Sequence, residues 1–276
     1  MTSPGTNIVT STSTSTGTTA APLRVSELTL RFGGLTALDG IDFEVPAGQL
    51  LAVLGPNGAG KSSLFNCING VYTPSDGRVF LNGEDVTDRR PHERASRGLA
   101  RTFQNLALFN EMTVLENLMA ARSHQMRTGV IAGLTWFGRA RRDELEHREP
   151  VERTIDFLGL GRYRHEKVAA LSYGWRKRIE LGRALCMDPQ VLLLDEPLAG
   201  MNDAETREIV DSLLDVRERL GLTMVLVEHN LGVVLEIADR VLVLDFGRQI
   251  ADGTPDEVAH DPAVVAAYVG ERRASL

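Results

Sequence analysis

The sequence contains few cysteines, few lysines and no long apolar run. Its 276 residues include only two cysteines, Cys67 and Cys186, which lie in separate apolar stretches. We expect both to be reduced core residues of a cytosolic protein. No apolar run reaches about twenty residues, so the sequence predicts no helix that spans a membrane. The net charge of −7 and the lack of a basic cluster argue against a nucleic-acid-binding surface.

The composition is sufficient for a large core. Hydrophobic residues make up 43% of the chain, which predicts one large domain or two closely packed lobes. Residues 1–22 are the exception, because serine and threonine dominate them. This segment has neither the basic part nor the apolar part of a signal peptide, and we expect it to be a disordered tail.

Lysine occurs only three times, at positions 61, 167 and 177, and the first stands in a glycine-rich loop. The loop follows the apolar run 50–54, a predicted buried strand, and precedes a predicted helix. Each residue type suits a loop that binds the phosphates of a nucleotide. Glycines let backbone N–H groups turn inward, Lys61 supplies a charge for the outer phosphates, and Ser62 supplies a hydroxyl for Mg²⁺. Because lysine is so scarce, a chance glycine-rich turn is a poor alternative. We call this segment the phosphate loop; its pattern is G-x-x-x-x-G-K-S, and its residues are Gly55, Pro56, Asn57, Gly58, Ala59, Gly60, Lys61, Ser62 and Ser63.

Two more apolar stretches end in residues that can perform chemistry. Residues 191–194 precede Asp195 and Glu196, and residues 223–227 precede Glu228 and His229. Parallel strands deliver their carboxyl ends to the ligand crevice of an α/β sheet. We expect Asp195 to hold Mg²⁺, Glu196 to polarise a water, and His229 to stabilise the γ-phosphate. The alternatives are that the acids cap a helix and that the histidine is structural.

Two loop residues are candidates for contact with a nucleotide. Phe32, on a predicted turn, could stack on adenine, or it could be a hydrophobic turn residue. Gln104 follows a predicted strand that begins at Leu99, and it could hold a Mg²⁺-bound or attacking water. Its alternative is a solvated loop residue. Downstream, Thr113 and Glu116 stand at capping-box spacing and predict a helix over 113–121.

A second anion site is predicted at Ser172 and Gly174, which open a helix that runs to Cys186. One chain has no need of two γ-phosphate sites, so we expect a dimer in which each chain closes over its partner's nucleotide. The segment from about 123 to 149 is predicted to be a surface excursion. Its apolar part, with Trp136 and Phe137, is a candidate for contact with a partner.

Taken together, these motifs resemble those of an ATP-binding-cassette (ABC) nucleotide-binding subunit over residues 23–271. Gly55–Ser62 is similar to Walker A, Gln104 to the Q-loop, and His229 to the switch histidine; the signature corresponds to 171–175 and Walker B to 191–196. The resemblance implies an α/β P-loop NTPase with a RecA-like core sheet, an antiparallel β subdomain and an α-helical subdomain at roughly 105–185. Residues 272–276 would then be a tail.

Within that family, the chain most resembles the ATP-binding subunits of branched-chain amino-acid importers. The resemblance implies that the protein binds ATP and Mg²⁺ and hydrolyses ATP at the cytoplasmic face of the membrane. It also implies a second ATPase subunit, identical or not, two membrane permeases and, indirectly, an extracytoplasmic solute-binding protein. The shared residues are Arg31-Phe32-Gly33-Gly34, Arg101-Thr102-Phe103-Gln104, Phe109, Glu111 to Val114, Glu116-Asn117-Leu118, Leu171 to Gly174, Ala199-Gly200, Asn202 and Ala267 to Glu271.

Two positions depart from the common ABC pattern. Trp175 stands where the signature usually has glutamine, and Asn202 stands where many cassettes have aspartate. Three alternative functions stay open: a urea or amide importer, a lipid-type exporter, and a non-catalytic ATP-binding regulatory module, which would explain Trp175. A cassette acting on nucleic acid or ribosomes typically resembles two cassettes in one chain, whereas this chain has one and is acidic.

Overall fold

The protein is represented by a computed structural model that describes residues 20–103, 106–122 and 139–274. Residues 1–19 of the predicted tail, Gln104, Trp136 and Phe137 lie outside the described residues. The described strands, in chain order, are β1 (Leu23–Phe32), β2 (Leu35–Val45), β3 (Leu50–Leu54), β4 (Asp76–Leu81), β5 (Glu84–Asp85), β6 (Leu99–Arg101), β7 (Val191–Asp195), β8 (Thr223–Val227), β9 (Arg240–Asp245) and β10 (Arg248–Gly253).

Helices lie between and beside these strands. The described helices are α1 (Lys61–Asn69), α2 (Pro91–Ala95), α3 (Val114–Arg122), α4 (Arg139–Phe157), α5 (Tyr173–Leu185), α6 (Asp203–Leu220), α7 (Leu231–Ile237), α8 (Pro255–Ala259) and α9 (Pro262–Ala274). None of the helices in the described ranges is long and apolar enough to cross a membrane.

The strands form two sheets. The larger one has the order β10-β9-β3-β8-β7-β6, and all its neighbours are parallel except β10 and β9. The smaller one, β2-β1-β4-β5, is antiparallel. This confirms the predicted α/β class with a core sheet and a separate antiparallel sheet. The predicted strands at 50–54 and 223–227 are confirmed, as is the strand that ends at Asp195.

Alternation along the parallel strands divides the buried residues between two cores. In β3, Leu50, Ala52 and Leu54 face one core, whereas Leu51 and Val53 face the other. Successive strand residues point to opposite faces, and here both faces are covered, which explains the uninterrupted apolar sequence. The first core continues into helices α3 to α7, and the second lies between the parallel sheet, α1 and the antiparallel sheet.

Helices α3, α4 and α5 contact one another, and we call them the helical lobe. The predicted capping box starts α3: Glu116 N donates to Thr113 Oγ1 over 3.2 Å, and Thr113 N donates to Glu116 Oε2 over 2.8 Å. At the other end of α3, Arg122 donates to Cys186 O over 2.9 Å and thereby ties α3 to the end of α5.

Both cysteines are free and buried, which confirms that they are core residues. Burial raises the pKa of each thiol, Cys67 and Cys186, to about 11. Because the thiolate is the reactive form, these residues behave as core side chains at neutral pH.

One fully buried arginine joins α2 to the end of α1. Arg94 is 0% exposed, and its guanidinium donates to Cys67 O over 2.6 Å, to Ile68 O over 2.7 Å and to Thr87 O over 2.7 Å. The first two carbonyls belong to the last turn of α1, where a helix leaves acceptors unsatisfied. Arg94 therefore stabilises the helix that follows the phosphate loop, although burial lowers the pKa of its guanidinium.

We predict that Arg94→Met reduces the free energy of unfolding by about 2–4 kcal/mol, because buried carbonyls lose their donor. The matched control is Arg78→Met, since the Arg78 side chain is 68% exposed and pairs with Asp85 at 3.6 Å. That change should cost less than about 0.5 kcal/mol. Urea denaturation of both variants measures the difference, and equal losses would contradict this role for Arg94.

Candidate active site

A cavity of about 440 Å³ lies where the phosphate loop meets the antiparallel sheet. Its position at the carboxyl ends of parallel strands is the usual ligand site of an open α/β sheet. Sequence-predicted residues make up most of its wall. The cavity is lined by Phe32, Leu35, Thr36, Ala37, residues 57–63, Glu196, His229, Phe246 and Gly247.

Two glycines shape the phosphate loop by allowing close backbone contact. A Cβ atom on Gly55 would lie 2.1 Å from Leu244 O, and one on Gly60 would lie 2.8 Å from Ala37 O. Both glycines have positive φ, +147° and +104°. A Cβ on Gly58, in contrast, would meet nothing within 4 Å, so the backbone there faces open space beside the cavity. The loop thus offers bare backbone to a ligand, as phosphate binding requires.

Lys61 is held at the centre of the loop. Its Nζ donates to Gly55 O over 2.6 Å and to Pro56 O over 3.0 Å, and the residue is only 6% exposed. The lysine is the first residue of α1, so its ammonium group lies beside the amino end of a helix. The structure therefore places a positive charge beside the backbone of the loop and the start of α1, an arrangement that suits anions.

The aromatic candidate forms the outer wall of the cavity. Phe32 is 47% exposed, and its ring meets Tyr72 edge-to-face with a centroid distance of 5.3 Å. One correction applies: Phe32 is the last residue of β1, whereas the sequence predicted a turn. The strand extends this far because Phe32 pairs with Leu35 across the β1–β2 hairpin. The ring is consequently braced on one side and open toward the cavity.

The carboxylate and imidazole candidates touch each other. His229 Nε2 lies 2.7 Å from Glu196 Oε1. Glu196 has a φ of +47°, which is uncommon for a residue with a side chain, and its N–H donates to Val227 O over 2.9 Å. The end of β8 therefore holds Glu196 in a strained backbone conformation beside the histidine.

Glu228 contacts the same region; the sequence places it after a predicted strand, but sequence analysis gave it no role. Its carboxylate accepts from Leu198 N over 2.8 Å and from His229 N over 3.1 Å, so it joins the segments that follow β7 and β8. Burial raises the pKa of this carboxyl group. The sequence feature that could have identified Glu228 is an acidic residue at the end of an apolar strand, the same feature that identified Asp195 and Glu196.

Asp195 does not line the cavity, although the next residue, Glu196, does. Its Oδ2 accepts from Arg101 Nη2 over 2.7 Å, and Arg101 Nη1 donates to Asn66 Oδ1 over 2.8 Å. The ion pair is mostly buried, with the two side chains 8% and 11% exposed. Sequence analysis gave Arg101 no role, although an arginine in a short buried strand indicates a carboxylate partner.

The structure keeps the Ser172–Gly174 turn apart from these residues, because neither Ser172 nor Gly174 lines the cavity. Ser172 is exposed at the start of α5, and the turn packs against the segment that opens α6. A Cβ on Gly174 would lie 3.0 Å from Glu205 Oε1. Gln104, the remaining predicted site residue, lies outside the described residues.

The two departures from the common ABC pattern have structural explanations. The Trp175 ring packs against Tyr163 with centroids 4.6 Å apart, and the guanidinium carbons of Arg162 and Arg178 lie 5.3 and 4.7 Å from it. Trp175 is thus part of the helical lobe. Asn202 is the N-cap of α6, where its Oδ1 accepts from Ala204 N and Glu205 N.

The oxygen donors of the site suit a metal ion that is bound partly by the protein and partly by a substrate. Ser62 lines the cavity and offers a hydroxyl, and Asp195, at the end of β7, offers a carboxylate that is paired with Arg101. Within the described residues, no group of three or more His, Cys, Asp or Glu could hold a metal ion alone. Two oxygen donors from the protein suit Mg²⁺ that is also bound by substrate phosphates.

Family models match two parts of the chain. Residues 38–199 match the family described as ABC transporter, and residues 248–274 match the family described as branched-chain amino acid ATP-binding cassette transporter. The first match covers more than half of the chain and includes the phosphate loop, Asp195 and Glu196.

Proteins of similar sequence include two bacterial branched-chain amino acid transport ATP-binding proteins. BraF of Pseudomonas aeruginosa is 39% identical over 249 residues, which is 90% of this chain and 98% of BraF. LivG of Escherichia coli K12 is 36% identical over the same length, again 90% of this chain and 98% of the relative. A probable LivG of Methanocaldococcus jannaschii is 34% identical over 255 residues, 90% and 97% of the two chains.

Solved structures show the same fold. The ADP conformation of an ATP-binding cassette of an ABC transporter superimposes with a TM-score of 0.80 at 34% identity, covering 92% of this chain and all of the other. A Clostridium perfringens protein that is part of an ABC transporter complex superimposes with a TM-score of 0.73 at 29% identity, covering 91% and 95%. These similarities confirm the resemblance inferred from the motifs. The chain therefore belongs to the ABC transporter family of ATP-binding cassettes, within its branched-chain amino acid group.

Proposed function

We propose that this chain is the ATP-hydrolysing subunit of an ABC importer for branched-chain amino acids. The observation that carries the proposal is one cavity that joins the phosphate loop, an open aromatic ring and the Glu196–His229 pair. The solute class comes from the relatives, which are branched-chain amino acid transport ATP-binding proteins.

In this function each cavity residue acts on a different part of ATP. Phe32 would stack on the adenine, and the phosphate loop would bind the phosphates through its N–H groups and Lys61. Ser62 and Asp195, with Gln104, would hold Mg²⁺, which neutralises negative charge on the phosphates. The Arg101 ion pair holds the Asp195 carboxylate in place through Oδ2.

Hydrolysis would use the Glu196–His229 pair. A water attacks the γ-phosphorus, its proton passes to the Glu196 carboxylate, and the bond to the bridging oxygen of ADP breaks. His229 would hold Glu196 in position before ATP binds, as their 2.7 Å contact supports, and its ring N–H would turn to the γ-phosphate when ATP is bound. The backbone of Glu196 is already fixed by Val227, so little rearrangement would be needed.

A second ATPase subunit would complete the site. Ser172 and Gly174 do not line the cavity of their own chain, and an exposed helix start would suit the γ-phosphate held by a partner. Two permeases would then place the ATPase pair at the cytoplasmic face of the membrane, with a solute-binding protein outside. A similar protein of known structure is part of an ABC transporter complex.

The domain division is likewise a proposal. The cassette would cover residues 23–271, since β1 begins at Leu23, and the α-helical subdomain would cover roughly 105–185, which includes the helical lobe. Residues 1–22 and 272–276 would be tails.

Purification of the protein with its permeases and binding protein, followed by identification of the bound solute, tests the amino-acid assignment against a urea, amide or lipid cargo.

We predict that Glu196→Gln retains ATP but releases phosphate at least about 100-fold more slowly, because the amide cannot accept the proton. The variant should also accumulate as a dimer that encloses nucleotide. A phosphate-release assay and size-exclusion chromatography with ATP measure the two effects.

Glu218→Gln is the matched control, because Glu218 is an exposed residue near the end of α6 and should leave turnover unchanged. If Glu196→Gln hydrolyses ATP as fast as the parent, Glu196 is not the base. If the parent binds ATP without releasing phosphate, the chain is a non-catalytic ATP-binding module.

We predict that Lys61→Ala weakens ATP binding by at least about tenfold, since the phosphates lose a charge-assisted hydrogen bond. Titration with a fluorescent ATP analogue gives the dissociation constant. The control is Lys167→Ala, because the Lys167 side chain is 62% exposed and pairs with Glu111. An unchanged dissociation constant in Lys61→Ala would contradict the role of the loop.

A further inference from the structure

The C-terminal helix reaches the first residue of the phosphate loop. Gly55 N donates a hydrogen bond to the hydroxyl of Tyr268 over 3.0 Å, although the two residues are 213 positions apart. Tyr268 lies in α9, within the segment that matches the branched-chain amino acid cassette family. The proposed function gives this contact no role.

Gly55 is held from both sides. Its N–H donates to Tyr268, and its carbonyl oxygen accepts from Lys61 Nζ over 2.6 Å. Glycine has no side chain to restrict its backbone, so the two peptide groups that flank its Cα would otherwise rotate freely. The φ of +147° is therefore set by contacts outside the residue, and Tyr268 provides one of them. Since Lys61 bonds to the same residue, the tyrosine acts on the lysine through Gly55.

Helix α9 can hold the hydroxyl in place because its inner face is buried. Val264 is 4% exposed and belongs to the core that includes the parallel sheet. Tyr268 follows it by four positions, one helical turn, and its ring packs against the same core. The ring thus anchors the side chain, and the hydroxyl accepts the hydrogen bond from the loop.

We infer that Tyr268 is a positioning residue of the nucleotide site and that α9 increases the affinity for ATP through it. This inference rests on the proposed ATP-binding function. Tyr268 would preorganise Gly55 and Lys61 before ATP arrives, so less conformational entropy would be lost on binding. Because Glu196 and His229 lie on other segments, the catalytic step itself would not depend on Tyr268.

The test is Tyr268→Phe in the full chain, which retains the ring and removes only the hydroxyl. The dissociation constant for ATP and the KM for ATP should both rise about threefold to tenfold, as loss of one hydrogen bond implies. The kcat should stay within about twofold of the parent, since the change affects binding and not chemistry. The melting temperature should fall by less than about 4 °C, as expected for the loss of one hydrogen bond in a chain of this size.

Two further variants make the result specific. Tyr163→Phe removes the same atom from a tyrosine whose ring packs on Trp175, and it should leave ATP affinity unchanged. Tyr268→Ala removes ring and hydroxyl together and should weaken ATP binding at least as much as Tyr268→Phe.

The other outcomes overturn the inference. If only Tyr268→Ala weakens ATP binding, the ring has a packing role and the hydroxyl has none. If kcat falls while KM for ATP stays constant, Tyr268 does not act through affinity. A parent protein that binds no ATP would overturn the proposed function itself, whereas normal ATP binding by Tyr268→Phe overturns only the inference drawn here.

Discussion

The structure depends on backbone contacts that leave no room for a Cβ atom. Gly55 lies against Leu244 O, and both Gly60 and Gly247 lie against Ala37 O; an added Cβ would come within 2.1, 2.8 and 2.6 Å of these atoms. The turn after β9 also bonds to the loop, since Gly247 N donates to Ala59 O over 2.9 Å. Through these contacts the phosphate loop packs against both sheets. Neighbouring backbone atoms consequently restrict the loop although it consists mainly of small residues, and a preorganised loop can present its N–H groups without a large loss of entropy on binding.

Charged groups around the cavity are positioned by neighbouring residues. Lys61 bonds to loop carbonyls, Asp195 pairs with Arg101, and Glu196 contacts His229. Glu228 is buried and bonded to two backbone N–H groups, and it joins the segments that carry Glu196 and His229. Buried charges are costly unless paired, so each of these contacts also restricts where its side chain can point. The same contacts that make burial tolerable therefore keep the site in a fixed geometry.

The motifs could be predicted from sequence because their chemistry is local. The phosphate loop needs its glycines, Lys61 and Ser62 at fixed spacing, and the strand before it needs only an apolar run. Arg101 and Tyr268 were not predicted as site residues, since their partners are distant: Arg101 bonds to Asp195 over 94 positions and Tyr268 to Gly55 over 213. Phe32 was recognised as a candidate, but the hairpin that makes it a strand residue requires the pairing with Leu35.

The sequence by itself determined the class of fold, the identity of the phosphate loop and the strand ends that carry Asp195, Glu196 and His229. Period-two and continuous apolar patterns specify strands, and glycine spacing specifies a loop, because both are short-range properties of the chain. The order of the strands, β9-β3-β8-β7, was decided only in three dimensions. That order places Glu196 beside His229 and α9 beside Gly55. Such contacts arise from the packing of whole helices and strands, and a local sequence pattern does not predict which helices and strands will be neighbours.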